Sequence, residues 1–390
     1  MKFSRRARNL TGSATMSATL KAQALKSQGQ DILLASVGEP YTPVSPDIEE
    51  AAHDYLKNHD SRYGPAQGLL STRKVLSQWF QKVYGTTYSP EQIVITPGSK
   101  FGLFALMQIL CDTEDEVLIP APYWVSYIQL AEMAGARARI CAPNAHYKLT
   151  PEILRKELNE KSRVLILNSP NNPTGAVYTL SELEGLRTVL KDFPDVTIIC
   201  DDIYNQLNFS SHHRAPSILD GADEEFQKRI VVVHGASKSY AMTGWRVGWI
   251  AADNECVTKL TQFLSQSLTC IPDFIQKATE QALTSGDSFV QKLKQQMQER
   301  HTWSVQELSS LKRVQVYKSE GAFYLWIKLL ETSLSSQQVA EKLLTDQGVA
   351  SVPGEAFGMP AHLRLAITIS ESEVKEMIQR LKKFFAEEKV

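Results

Sequence analysis

The chain of 390 residues lacks any apolar run approaching the roughly 18 residues of a membrane-spanning helix, so no such helix is expected. It also lacks an excess of either charge. Lys and Arg number 42 and Asp and Glu 43, a formal net charge of -1. This argues against a nucleic-acid binder or a polybasic membrane ligand. Cysteine is scarce: Cys111, Cys141, Cys200, Cys256 and Cys270 are irregularly spaced and form no Cys-x-x-Cys pair. Neither a disulfide framework nor a zinc site is suggested, and a reducing cytoplasm fits best. The histidines form no ligand pattern, so no metal is expected. Internal repeats and low-complexity linkers are absent too.

What remains is the composition of a soluble globular protein, with 43% apolar and 22% charged residues. The length allows two or three domains at roughly 100–200 residues each. Short β-rich runs at Gln92–Thr96, Glu116–Ile119, Arg163–Asn168, Val196–Cys200 and Ile230–Val233 alternate with helical patterns such as Ser99–Cys111, Thr179–Lys191 and Val257–Ser267. That alternation predicts an α/β fold with a mainly parallel sheet covered by helices. The last third reads as a smaller α+β unit. It has a long polar helix over Asp287–Ser310, strand-like runs at Val314–Tyr317, Ala322–Ile327 and Leu363–Ile369, a helix near Ser336–Gln347 and a terminal helix from about Ser372. The expected division is an N-terminal segment 1–40 packing on the small domain, a large domain 41–286, and a small domain 287–390. Residues 1–30 carry Arg5, Arg6, Arg8, Lys21 and Lys26 and no acidic residue. By composition they suit either an organelle transit peptide or a folded basic segment.

In an open parallel sheet, ligands bind beyond the carboxyl ends of the strands. Pro97-Gly98-Ser99-Lys100 follows the first run and opens a helix, whose free N–H groups suit a phosphate. Lys100 is awkward in a first turn unless an anion lies nearby. Ser169-Pro170-Asn171-Asn172-Pro173-Thr174-Gly175 follows the third run and brings asparagine amides to the edge. Asp201-Asp202-Ile203-Tyr204 follows the fourth; Asp202 suits a helix cap, while Asp201 with Tyr204 is the more interesting pair. Gly235-Ala236-Ser237-Lys238-Ser239 follows the fifth, with Arg246 eight residues beyond the lysine. A phosphate cradle, an amide, a carboxylate, a phenol, an amine and an arginine on one edge suit a phosphorylated aromatic aldehyde held by a lysine. Pyridoxal phosphate is that molecule.

Asn168 through Gly175, Asp201 through Tyr204, and Ser237-Lys238 with Arg246 also carry a family resemblance, which runs from about Ser4 to the C-terminus. The chain resembles the class I aspartate aminotransferases of the fold-type-one pyridoxal-phosphate enzymes, and within them the bacterial aspartate/prephenate subgroup. The resemblance implies a seven-stranded-type sheet in the large domain and an N-terminal segment belonging to the fold, since Ser4-Arg5-Arg6 and Ser13-Ala14-Thr15 look like the start of mature members. It implies that Lys238 forms a Schiff base with the cofactor and then moves a proton, and that Asp201 pairs with the pyridine nitrogen. Asn172 and Tyr204 would bond the ring oxygen, and Trp124 would stack on the ring. Gly98, Ser99, Ser237 and Arg246 would hold the phosphate, with Lys100 nearby. Tyr63 would reach the phosphate of a neighbouring subunit, which implies a homodimer with shared sites. Arg364, helped by Asn172, Trp124 and the Gly38 backbone, would grip the substrate. One departure is Gly235, where many members have serine, so one phosphate contact is expected to be missing. Beside it, His234 is expected to be packed or solvated.

Animal-type members bind a distal carboxylate with an arginine downstream of the lysine, but none occurs here between Arg246 and Arg300. The bacterial subgroup instead resembles this chain at Lys100, Ser13 and Thr15, which points to acidic amino acids. The expected reaction is L-aspartate plus 2-oxoglutarate to oxaloacetate plus L-glutamate. Prephenate or aromatic amino acids are an alternative. Two other classes stay open: a lyase or synthase sharing the cofactor contacts, and a non-catalytic sensing module.

Overall fold

The computed structural model describes residues 1–210, 212–330 and 332–386. A seven-stranded sheet is built from β1 (Ile93–Thr96), β2 (Glu116–Pro120), β3 (Arg137–Cys141), β4 (Ser162–Asn168), β5 (Thr197–Asp201), β6 (Ile230–Gly235) and β7 (Gly248–Ala251). Their order is β1-β7-β6-β5-β4-β2-β3, and only β7 runs antiparallel to its neighbours. Every residue of β1, β6 and β7 is buried, because helices lie on both faces. One face packs against Trp79, Phe80 and the 273–285 helix; the other meets Leu103, Leu106, Leu260 and Leu264. The expected α/β fold with a mainly parallel sheet is present.

A second sheet contains β8 (Val314–Val316), β9 (Tyr324–Leu329), β10 (Val352–Pro353) and β11 (His362–Ala366), in the antiparallel order β10-β11-β9-β8. The Ala322–Ile327 run starts its strand two residues later than expected, since Ala322 takes a left-handed turn with φ 59°. The helix Ser336–Gln347 keeps its expected bounds: Ser335 and Gln338 form a capping box, and Gly348 closes it at φ 64°. The terminal helix Glu371–Ala386 buries Val374, Met377, Ile378, Leu381, Phe384 and Phe385 against this sheet. Each such side chain contributes roughly 1.5–3 kcal/mol of burial. Residues 387–390 of the expected small domain lie outside the described residues.

The N-terminal basic segment is folded. Ser13 caps the helix Ala14–Ser27, whose Ala22 packs with Ile32, Leu344 and Ala350. The preceding helix Arg5–Asn9 turns instead toward the 126–134 helix, where Arg6 donates to Met133 O and Thr11 N to Gln129. Thus the first residues touch the large sheet's side and the next ones the small sheet's side.

Candidate active site

The site grows from the carboxyl ends of β4, β5 and β6. Asn168 ends β4 and staples it to β5: its Nδ2 donates to Asp201 O at 2.7 Å, and its Oδ1 accepts from Asn172 N at 2.8 Å. The Asn-Pro-Gly loop is thereby fixed with Asn172 toward a cavity of about 370 Å³. Asp201 ends β5 and is only 4% exposed. Its Oδ2 accepts from the Tyr127 hydroxyl at 2.6 Å, whereas its Oδ1 is buried without a hydrogen-bond partner. Burial pushes the carboxyl up to about 6, against the lowering effect of the Tyr127 bond.

Lys238 sits on the short helix Ala236–Ser239 after β6, and its Nζ donates to Gly38 O at 2.7 Å. The amine is pushed down to about 8, chiefly by burial. The Arg364 and Arg246 cations act in the same direction, while Glu39 and Asp201 oppose. Arg364 comes from β11, yet reaches Asn172 Oδ1 at 3.0 Å and Ser36 O at 2.6 Å. Its guanidinium lies between the rings of Tyr324 and Phe357, 4.6 and 5.0 Å from their centroids, and its Nε has no partner.

Lys100 Nζ lies 4.8 Å over the Trp124 ring, and its amine is lowered by burial and then by the Arg246 cation. Arg246 packs on the helix-opening turn. A Cβ added to Gly98, at φ 83°, would come 2.7 Å from its guanidinium, so glycine is needed there. Among the described residues, none of Lys100, Arg246 and Arg364 has a carboxylate in salt-bridge range. Three unpaired cations around one cavity, beside the N-terminus of the Ser99–Leu110 helix, make it an anion receptor.

Most residues singled out from the sequence line this cavity: Thr15, Gly38, Ser99, Lys100, Trp124, Asn172, Asp201, Tyr204, Ser237, Lys238, Arg246 and Arg364. Gly98 lies just behind, against Arg246. Ser13 does not line it; its hydroxyl caps the helix Ala14–Ser27. Tyr63 does not either, and is 88% exposed. Among the lining residues given no role from the sequence, Tyr127, Tyr324 and Thr243 bring hydroxyls to the cavity. Tyr127 could have been sought one helical turn beyond Trp124. Tyr324 is a tyrosine within an otherwise apolar strand run, which is a weaker signal.

The absent serine at Gly235 also has a local cause. A Cβ there would press on Val247 O at 3.0 Å and Gly248 Cα at 3.1 Å of the adjacent strand. His234 is packed, stacking on Trp249 with centroids 5.2 Å apart. Burial pushes it down to about 3, so it is neutral, and its Nδ1 accepts from Gly235 N.

An α/β sheet whose carboxyl edge brings an amine, a carboxylate with one unpartnered oxygen and three cations onto one cavity has the make-up of an enzyme site for anionic substrates. More narrowly, the family model for aminotransferase class I and II matches residues 30–381, and the chain belongs to that family. It is 32% identical to an aspartate aminotransferase of Bacillus subtilis, over 98% of this chain and 99% of that one. Identity is also 32% to an aspartate/prephenate aminotransferase of Nitrosomonas europaea, over 98% and 99% of the two chains. Among solved structures, an aspartate aminotransferase from Thermus thermophilus with maleate superposes with a TM-score of 0.93. It is 31% identical, covering 98% of this chain and 100% of that one.

Proposed function

We propose that this aminotransferase uses pyridoxal 5'-phosphate to exchange the amino group of L-aspartate with 2-oxoglutarate, giving oxaloacetate and L-glutamate. The observation that carries the cofactor reading is the buried, unpartnered Oδ1 of Asp201, on the same cavity as the Lys238 amine. A buried carboxylate oxygen without a donor calls for a cationic N–H, which a protonated pyridine supplies. The helix-opening Ser99, Ser237 and the Arg246 guanidinium suit the phosphate, and Trp124 offers its ring face. When bound, the cofactor supplies an aldehyde for amines and a ring that draws electrons from the bond to be broken.

The protein residues divide the rest. The Lys238 amine, near 8, is partly neutral at physiological pH and carries the proton to and from the amino-acid Cα. Asp201 stays anionic once a cation lies beside it. Asn172 and Tyr204 donate to the ring oxygen, with Tyr63 completing the phosphate site of a second copy in a homodimer. Arg364 grips the α-carboxylate, helped by the Gly38 backbone. Lys100 and Thr15, which both line the cavity, receive the acidic side chain, while Ser13 supports them only by capping the helix that carries Thr15. Residues 41–286 then form the cofactor-binding unit and 287–390 the smaller one, with 1–40 associated mainly with the latter. Cytoplasmic residence is supported by five free cysteines, and no helix among the described residues is long and apolar enough to cross a membrane.

The test is spectral. L-Aspartate should bleach the yellow holoenzyme and 2-oxoglutarate should restore the colour. Reversible bleaching by an aromatic amino acid alone would keep the chemistry and reject the role of Lys100.

A further inference from the structure

Tyr324 lies in β9, on the small sheet, and is only 1% exposed. Its hydroxyl is 2.7 Å from that of Tyr204, and both phenols line the cavity. Its ring face receives the Arg364 guanidinium at 4.6 Å. The backbone opposite is Gly38, where any Cβ would overlap the Tyr324 hydroxyl. The absent side chain at Gly38 is what lets this phenol reach Tyr204.

Two phenols share one hydrogen bond, and each has one proton. If Tyr204 donated to Tyr324, its proton would be turned away from the ligand. If Tyr324 donates, the Tyr204 proton is free to point into the cavity. The Arg364 cation over the Tyr324 ring favours the second arrangement, because it draws electrons from that phenol and strengthens it as a donor. We infer that Tyr324 is a positioning residue: its hydroxyl donates to Tyr204 and directs the Tyr204 proton onto the phenolic oxygen of pyridoxal phosphate. This rests on the cofactor reading above and goes beyond it, since Tyr324 acts through Tyr204.

A chain of two donors stabilises a phenolate more than one does, because each bond polarises the next. The negative oxygen is fully exposed to those donors only when the Lys238–cofactor nitrogen has lost its proton. The chain therefore makes that proton easier to lose. Around Lys238 the charged neighbours are Glu39, Arg364, Arg246 and Asp201; Tyr324 faces Arg364, and Tyr204 faces Arg364, Asp201 and the Tyr127 phenol that donates to Asp201. All of them remain in Tyr324→Phe, which also keeps the ring under Arg364.

The experiment is a pH titration of the absorption spectrum of the substrate-free holoenzyme for wild type, Tyr324→Phe, Tyr204→Phe and the double variant. Tyr324→Phe should raise the midpoint by about half a pH unit, less than Tyr204→Phe does. In the Tyr204→Phe background it should add nothing. An unchanged midpoint in Tyr324→Phe, or an equal rise in both backgrounds, would overturn the inference and leave Tyr324 as a support for Arg364. A wild-type chain that takes up no pyridoxal phosphate would overturn the cofactor reading first, and this inference with it.

Discussion

Asp201 gives the ligand-free protein a defect that can be measured. Its carboxyl stands at about 6 instead of 3.8, chiefly through burial. The folded chain therefore holds this proton more tightly than the unfolded chain does. Stability of this kind is fully present below the unfolded value of 3.8 and is lost as the pH rises through about 6. At about 1.4 kcal/mol per pH unit, the loss at pH 8 comes to about 3 kcal/mol. Asp201→Asn removes the charge and keeps an oxygen for the Tyr127 hydroxyl. It also relieves Asp202, whose carboxyl is raised to about 7, chiefly by burial and in smaller part by the Asp201 charge. The new amide N–H groups cost about 1–3 kcal/mol if unpaired, but equally at every pH. The decisive quantity is thus the change in the difference between variant and wild type. In urea unfolding without cofactor, the variant should gain on wild type by about 2–3 kcal/mol between pH 4 and pH 8. Loading pyridoxal phosphate should reverse the order at pH 8, since the variant forgoes a buried pair whose breaking costs about 3–5 kcal/mol. A difference that is flat with pH in the ligand-free proteins would refute the reasoning.

Other substitutions separate the proposed roles. Lys238→Ala should abolish amino transfer and the yellow colour of the holoenzyme; a near-normal rate would remove the central assignment. Arg364→Ala should lower kcat/KM for every amino acid by about 10- to 100-fold, the worth of charge-assisted hydrogen bonds of about 1.5–3 kcal/mol. Unchanged Michaelis constants would rule out its clamp role. Lys100→Ser should penalise aspartate and glutamate more than aromatic amino acids, and steady-state kinetics on both classes decides it; equal effects would leave Lys100 as a structural or phosphate-side residue.

The fold class was legible in the sequence, and so were the positions that gather on one edge of the large sheet. Asn172 and Lys238 follow short apolar strands and Asp201 ends one, and parallel sheets place such positions on one edge. Strand β3 was missed because it is an edge strand whose Arg137 and Arg139 form ion pairs with Glu114, Glu116 and Glu157, so its pattern is not apolar. Strand β7 was missed because it is four residues long, opens on Gly248 and runs against its neighbours. The helices Pro46–Asn58 and Leu70–Tyr84 were not singled out, although both bury apolar side chains. Tyr127 and Tyr324 were invisible for a different reason. Their hydroxyls matter through Asp201 and Tyr204, which lie 74 and 120 residues away in the chain, and no local pattern encodes such a contact.

The hydrogen bonds that shape the cavity also bear on when the protein becomes competent. Lys238 meets Gly38 across 200 residues of chain, and Arg364 meets Asn172 across 192 and Ser36 across 328. Closing loops of that length belongs to the slow part of folding. During synthesis from the N-terminus, the ends of β4, β5 and β6 can gather early, but the guanidinium between the Tyr324 and Phe357 rings arrives with β11, the last strand among the described residues. A nascent or truncated chain that stops before residue 364 can therefore fold much of the large sheet and still offer no complete site. If Arg364 is the clamp proposed above, substrate binding requires synthesis past residue 364, a dependence that comes from topology alone.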